Sequence, residues 1–474
     1  MINTITFKIL LSFLIFISFF LGKEIAGFSI IVGSAFIIHE LIQKKIESIG
    51  IFFILMYIYT GLNSIPEFAF QYIEAMSPDN KARGVSILIL PEYYFNLNVG
   101  IFDLSLLFIV SMFFFAYFLF VLFNNSSLLT GLPKPLIILF ALSFVPTLFG
   151  FFIAASKGVN GSMMALRCLF GLSVMFFGYS YALLKKRDIR RVFYLLTRNY
   201  IYVLAFLLIV GLMYNHILFI YLGVAAAVAV YVLLFEKNKI KFTLLLISIF
   251  MGSFNNTFTI MLIPLVSGLV TFLSFTLLSY KVRDMLPKIG FIFYILFLGF
   301  IISVPKQQIK LQDKTTLDGR LYNKIYGDRF FVWTSYLEEI KKANPFFVVP
   351  KETIKLETVN KTEKDISFGA HNSLIQLLYY YGVIYGSILF IILFYVINKM
   401  LVYSKYLPKY IQAIALGLFS TFIVFGLTGH SIITHAASMF FWLFVGLITG
   451  LGEQMKHSNV FKVDPLTTRL SIAS

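Results

Sequence analysis

Apolar runs long enough to cross a bilayer recur along the chain, from residue 5 to residue 451. The hydrocarbon core takes about 20 apolar residues per helix. Runs at 5-22, 25-43, 49-65, 101-124, 135-155, 161-184, 193-213, 216-235, 241-256, 257-280, 288-304, 372-398, 410-429 and 433-451 predict about fourteen spans, with twelve the alternative. Within 241-280, Gly252-Ser253-Phe254-Asn255-Asn256 reads as a turn between two helices, because one helix of that length would overshoot the bilayer. Composition agrees: 59% of residues are apolar and 13% charged, against about 45–50% and 25% in soluble domains. The chain therefore reads as an all-α polytopic membrane protein, and an ordinary soluble enzyme is excluded.

The net charge of +17 would point to nucleic acid in a soluble protein. Its distribution gives another meaning. With the amino terminus placed in the cytoplasm, the inner loops hold twenty Lys or Arg, including Lys185, Lys186, Arg187, Lys281, Arg283, Lys399, Lys405, Lys409 and Lys456. The short outer loops hold four: Lys23, Lys81, Arg83 and Lys157. This positive-inside bias orients both termini to the cytoplasm and removes nucleic acid as a partner. Lys8 gives the first helix a signal-like charge, but no small-x-small site follows, so it is expected to remain as an anchor.

The expected organisation is helices 1-11 over residues 1-304, with a medium outer loop at 66-99. A large periplasmic or extracellular loop at 305-371, helices 12-14 over 372-451 and a cytoplasmic tail at 452-474 follow. The one cysteine, Cys168, excludes disulfide and cysteine-ligated metal frameworks, and the six histidines form no H-E-x-x-H pair, so neither metal nor cofactor is expected.

Function is sought where the chain departs from plain spanning helices. In the large loop, residues 327-343 read as an amphipathic helix with Arg329, Trp333, Tyr336 and Ile340 on one face and Asp328 as a candidate cap. Two readings stand: a surface helix whose aromatics pack on the membrane domain, or a helix that aims Arg329 into a site, with Trp333 packing on a sugar ring or lipid stem. The loop ends at His371 and Asn372, on the first turn of the helix 372-398. There the histidine serves either as a cap or as a proton acceptor titrating near neutral pH. Arg167 lies six residues inside its helix, where a charge either snorkels or faces a polar site. Topology can bring Arg167, Arg320, Arg329, His371 and His430 to one depth, which suits a lipid-linked pyrophosphate held by the planar fork of arginine.

This order of parts resembles the O-antigen ligase and O-antigen polymerase superfamily. The likeness rests on an R-x-x-x-W loop helix (Arg329, Trp333), followed by H-N-x-L-x-x-x-x-x-x-x-G (His371, Asn372, Leu374, Gly382) opening the next helix. The specific match covers about residues 327-390, and the remainder agrees in topology alone. The resemblance implies a GT-C-like, metal-independent, inverting glycosyltransferase acting on undecaprenyl-pyrophosphate-linked glycans at the outer face of the cytoplasmic (inner) membrane. It assigns Arg329 to the donor phosphates and His371 to the acceptor hydroxyl. Arg167, Arg320, Trp333, Asn372 and His430 are the candidate substrate-binding residues.

The expected partners are the lipid-linked donor, a glycan acceptor, membrane lipid and a possible chain-length regulator. Repeat-unit polymerisation, for O-antigen or capsule, is preferred. Ligation of polymer to lipid A core is the near alternative, and a transporter or flippase of the same lipid-linked glycans is the distant one. Two departures stand out. Phe254 to Leu262 lacks the arginine of the family's usual Ser-Arg pair, and Pro345-Phe346-Phe347-Val348-Val349-Pro350 replaces Pro-x-x-Gly-x-Gly.

Overall fold

The computed structural model describes residues 97–99, 102–104, 174–179, 181–183, 219–303 apart from 255–257 and 279, 329–343, 345, 354–357, 363–366, 370, 372–428 and 437–457. It also describes Gly319 and a few helical positions before residue 40. Helices form the body of this part. In chain order they are α1 (Phe219–Tyr231, continued by a π turn at Val232–Glu236), α2 (Lys239–Phe254), α3 (Phe258–Thr276), α4 (Tyr280–Arg283) and α5 (Leu286–Ser303). There follow α6 (Phe330–Lys342), α7 (Ser373–Ser404), α8 (Lys409–Thr428) and α9 (Ala437–His457). Two short antiparallel ribbons stand beside them: β1 (Leu97–Val99) with β2 (Phe102–Leu104), and β3 (Ile354–Glu357) with β4 (Glu363–Ile366).

The 241-280 stretch is two helices, as its Gly-Ser-Phe-Asn-Asn interruption implies. The expected tail at 452 begins later, since α9 runs to His457. Among the described residues three helices, α5, α7 and α8, are long and apolar enough to cross a membrane. Apolar side chains such as Phe250, Leu265, Phe293 and Leu296 lie exposed on α2, α3 and α5. Such faces lose nothing against lipid tails and would be costly in water.

Small residues set a close crossing of α1, α3 and α8. A Cβ on Gly417 of α8 would lie 2.9 Å from the Gly223 carbonyl of α1. Ser267 of α3 donates to that same carbonyl at 2.5 Å, giving the three helices a common seam without large side chains.

Asn372 meets Leu427 at one end of the α7–α8 pair, and Gln412 of α8 donates to Leu407 at the other. The same basic end buries Arg283, which the sequence reading treats as a loop charge. Only 4% of it is exposed, its Nη1 donates to Gln412 Oε1 at 3.1 Å, and the guanidinium lies 5.8 Å from the Phe275 ring centre. Asp284 beside it pairs with Lys405.

Candidate functional site

The helix that opens at the H-N motif is not one rod. Thirty-two residues would make about 48 Å of helix at 1.5 Å per residue, well beyond the bilayer core. Gly382 breaks it with φ 76° and ψ 167°, a region open essentially to glycine alone. The chain doubles back there: a Cβ on Gly386 would lie 2.6 Å from the Leu377 carbonyl and 2.9 Å from the Leu378 Cα. In a straight helix those positions are roughly 12 Å apart along the axis. Residues 373–381 thus form a short buried helical arm folded against residues 383–404, which alone give about 33 Å of helix. The expectation that Asn372 sits on the first turn of a spanning helix 372-398 is corrected accordingly. It heads the arm, and the long part of the helix begins after Gly382.

Asn372 has extended backbone, and its Oδ1 accepts from the Leu374 and Ile375 amides at 3.0 and 3.2 Å. That is N-capping, which satisfies two of the donors a helix start leaves open. Its Nδ2 donates to the Leu427 carbonyl at 3.3 Å, tying the arm to α8. One turn on, Gln376 Oε1 accepts from the Ala370 amide at 2.6 Å. Residues 370 and 372 are both held in this way. Because the cap occupies two amides, the arm's N-terminus is not an open anion seat of the kind helix starts often provide. Both polar ends of the Asn372 side chain thus have partners within the protein.

Around the arm, Tyr294 of α5 donates to the Phe422 carbonyl of α8 at 3.3 Å. The Ser373 hydroxyl is fully buried and has no hydrogen-bond partner among the described residues. A Cβ on Gly426 of α8 would lie 3.2 Å from it, so glycine leaves room at that point.

The amphipathic loop helix is α6, and its faces are as the spacing predicts. Phe330, Phe331, Trp333, Tyr336 and Ile340 are buried, whereas Glu338, Lys341 and Lys342 are exposed. Tyr336 meets Tyr379 of the arm edge-on with ring centres 4.9 Å apart. Trp333 meets Phe297 of α5 edge-on at 5.2 Å. With 2% of Trp333 exposed, neither ring face is open to a sugar, and the packing alternative describes what its ring does. Its indole N–H is nevertheless buried without a hydrogen-bond partner among the described residues. Arg329 stands at the start of α6 with helical backbone angles, half-buried and with Nη1 shielded from solvent. Burial pushes the Tyr336 phenol well above its usual pKa, and the neighbouring Tyr380 and Tyr379 push the same way.

Of the residues predicted from sequence, Arg329, Trp333 and Asn372 are described, and the structure brings α6 against the arm headed by Asn372. Arg167, Arg320, His371 and His430 lie outside the described residues, as does the candidate cap Asp328. Gln376, Ser373 and Tyr294 are polar parts of the site that the sequence reading misses. Gln376 and Tyr294 are each a single polar residue in an apolar run, and Ser373 directly follows the H-N pair; Gln376 also follows Asn372 by one helical turn. Among the described residues no three His, Cys, Asp or Glu side chains gather as metal ligands would. Comparison with known protein families and with curated proteins finds no match to this chain.

Proposed function

We propose that the chain is a membrane glycosyltransferase of the O-antigen polymerase and ligase type, with about fourteen spans and a GT-C-like fold, and that it polymerises lipid-linked repeat units. The observation that supports this reading is the seating of the R-x-x-x-W helix on the arm that begins at the H-N motif, through Tyr336 and Tyr379. The helices that carry the two motifs pack together, which a shared site requires.

In this reading an acceptor sugar hydroxyl attacks the donor's anomeric carbon with inversion, and the C–O bond to the lipid pyrophosphate breaks. The proton leaves the hydroxyl for His371, and Arg329 balances the charge growing on the departing pyrophosphate. The capped N-terminus of the arm leaves that task to side chains. Arg167 is the second cation proposed, with Arg320 and His430 completing the donor site.

The test is the product formed by the purified protein from undecaprenyl-pyrophosphate-linked repeat units. Longer lipid-linked glycan made without lipid A core supports polymerisation. Transfer seen only when lipid A core is supplied identifies the ligase. Translocation in vesicles with no change in chain length overturns the transferase reading in favour of transport.

A further inference from the structure

Away from the arm, at the lysine-rich end of α7 and α9, two ammonium groups share one tyrosine ring. Lys399 Nζ lies 5.3 Å from the ring centre of Tyr395 and 5.5 Å from that of Tyr403. Lys456 Nζ, from α9, lies 5.7 Å from the Tyr403 ring centre. The i, i+4 spacing of Tyr395, Lys399 and Tyr403 puts them in line along α7. Gly452 lets α9 approach: a Cβ there would lie 2.5 Å from the Tyr403 carbonyl.

The shared ring thus brings together a lysine of α7 and a lysine of α9. The Glu453 carboxylate acts electrostatically on the same Tyr403 side chain. Among the described residues neither lysine forms an ion pair, in contrast to Lys405, which has Asp284. The carboxylate next to Gly452, Glu453, accepts a hydrogen bond from Tyr179. Lys399 is also hydrogen-bonded to the Tyr395 and Tyr403 side chains, and an ammonium has three donors in all. The cluster therefore sets two preoriented cations against the carboxylate of Glu453, a surplus of positive charge that suits an anion.

We propose that Lys399, Lys456 and Tyr403 form a binding site for the phosphate of an anionic phospholipid. The lipid source is favoured by position. The site lies at the basic end of a helix of membrane-spanning length and composition, where a headgroup phosphate would meet lysines and the acyl chains would continue along apolar helix. Positively charged residues at that boundary attract anionic lipid, each contributing about fivefold in affinity. The proposal depends on the protein being embedded in a membrane and is independent of the glycosyltransferase reading.

The experiment measures the melting temperature of the full-length protein in mild detergent while phosphatidylglycerol, phosphatidylcholine or inorganic phosphate is added. Phosphatidylglycerol is expected to raise it saturably, and the other two to leave it unchanged. The Lys399→Gln/Lys456→Gln double variant is expected to need about thirtyfold more phosphatidylglycerol for the same rise, and Lys399→Arg/Lys456→Arg to respond as the unaltered protein does. Should the double variant fail to fold, Lys456→Gln alone, at an exposed position, carries the test with about a fivefold loss. An undiminished response in the glutamine variants, or none in the unaltered protein, overturns the site. An equal rise with inorganic phosphate that the variants lose overturns the lipid source.

Discussion

The amide of Ile384 donates to the carbonyl of Pro345 at 3.0 Å. Residue 384 lies just past the break at Gly382, where a new helical segment begins and its first amides have no partner within the helix. Pro345 lies just past the end of α6. The loop helix is thus fastened to the break as well as to the arm, so the loop and the doubled-back helix hold one another in place. Pro345 also opens the segment in which this chain departs from the family's Pro-x-x-Gly-x-Gly pattern, and the bond shows what this proline's carbonyl does.

Gly382→Ala is expected to cost about 1–3 kcal/mol, because the backbone there lies where side chains other than hydrogen are strained. Gly386→Ala is expected to cost a comparable amount for a different reason, a new Cβ against the Leu377 carbonyl. Thermal melts in detergent check both. A Gly382→Ala protein as stable as the unaltered one would show that the break is not needed.

The break also marks how far the sequence could be read. The apolar helices α5 and α8, the amphipathic face of α6 and the two-helix character of 241-280 follow from periodicity and length, which depend on residues near one another. Gly382 and Gly386 are visible in the sequence as permissive positions, but permission for a break and the break itself look alike there. The same limit hides Arg283. A lysine-rich segment between apolar runs reads as a solvated turn, and only the arrival of Gln412 from α8 makes it a buried contact. The partners of Asn372, Trp333 and Tyr336 come from three other helices, and no local pattern names them.

Asn372 separates two jobs in one side chain. Asn372→Ala loses both the cap and the link to Leu427, and caps alone are worth about 1 kcal/mol. Asn372→Asp keeps the cap acceptor but buries a charge and sets an acceptor oxygen against the Leu427 carbonyl. Both variants are expected to melt below the unaltered protein. An alanine variant as stable as the unaltered protein would mean that neither the cap nor the link contributes.

Tyr336 gives a pH prediction. Its folded-state pKa is raised by burial, with Tyr380 and Tyr379 adding, so the folded chain holds this proton more tightly than the unfolded chain. The resulting stability is fully present below the unfolded pKa of about 10 and is lost as pH rises beyond it. Tyr336→Phe is expected to lose stability less steeply above about pH 10, with no difference in the pH dependence of activity near neutrality. Parallel alkaline melts of the two proteins would contradict the assignment.

Trp333 has a buried N–H with no acceptor among the described residues, which normally costs about 1–3 kcal/mol. Trp333→Phe removes that donor and keeps an aromatic ring for Phe297. Its melting temperature is expected to fall little, because lost ring volume is offset by removing the unsatisfied group. If the N–H meets a substrate oxygen, transfer falls while stability holds. If it serves packing alone, activity follows stability.

Arg329 and His371 carry the chemistry proposed. Losing one charge-stabilising donor in a reaction of this kind costs roughly 10²–10³ in rate. Arg329→Ala and His371→Ala are therefore each expected to abolish detectable glycan extension while the protein reaches the membrane at normal level. Arg329→Lys distinguishes the fork from the charge: lysine keeps the charge but cannot bind two phosphate oxygens in parallel. Partial activity in that variant identifies a charge requirement, and none identifies bidentate binding. Near-normal extension with either alanine variant would remove that residue from the site, whatever the protein's stability.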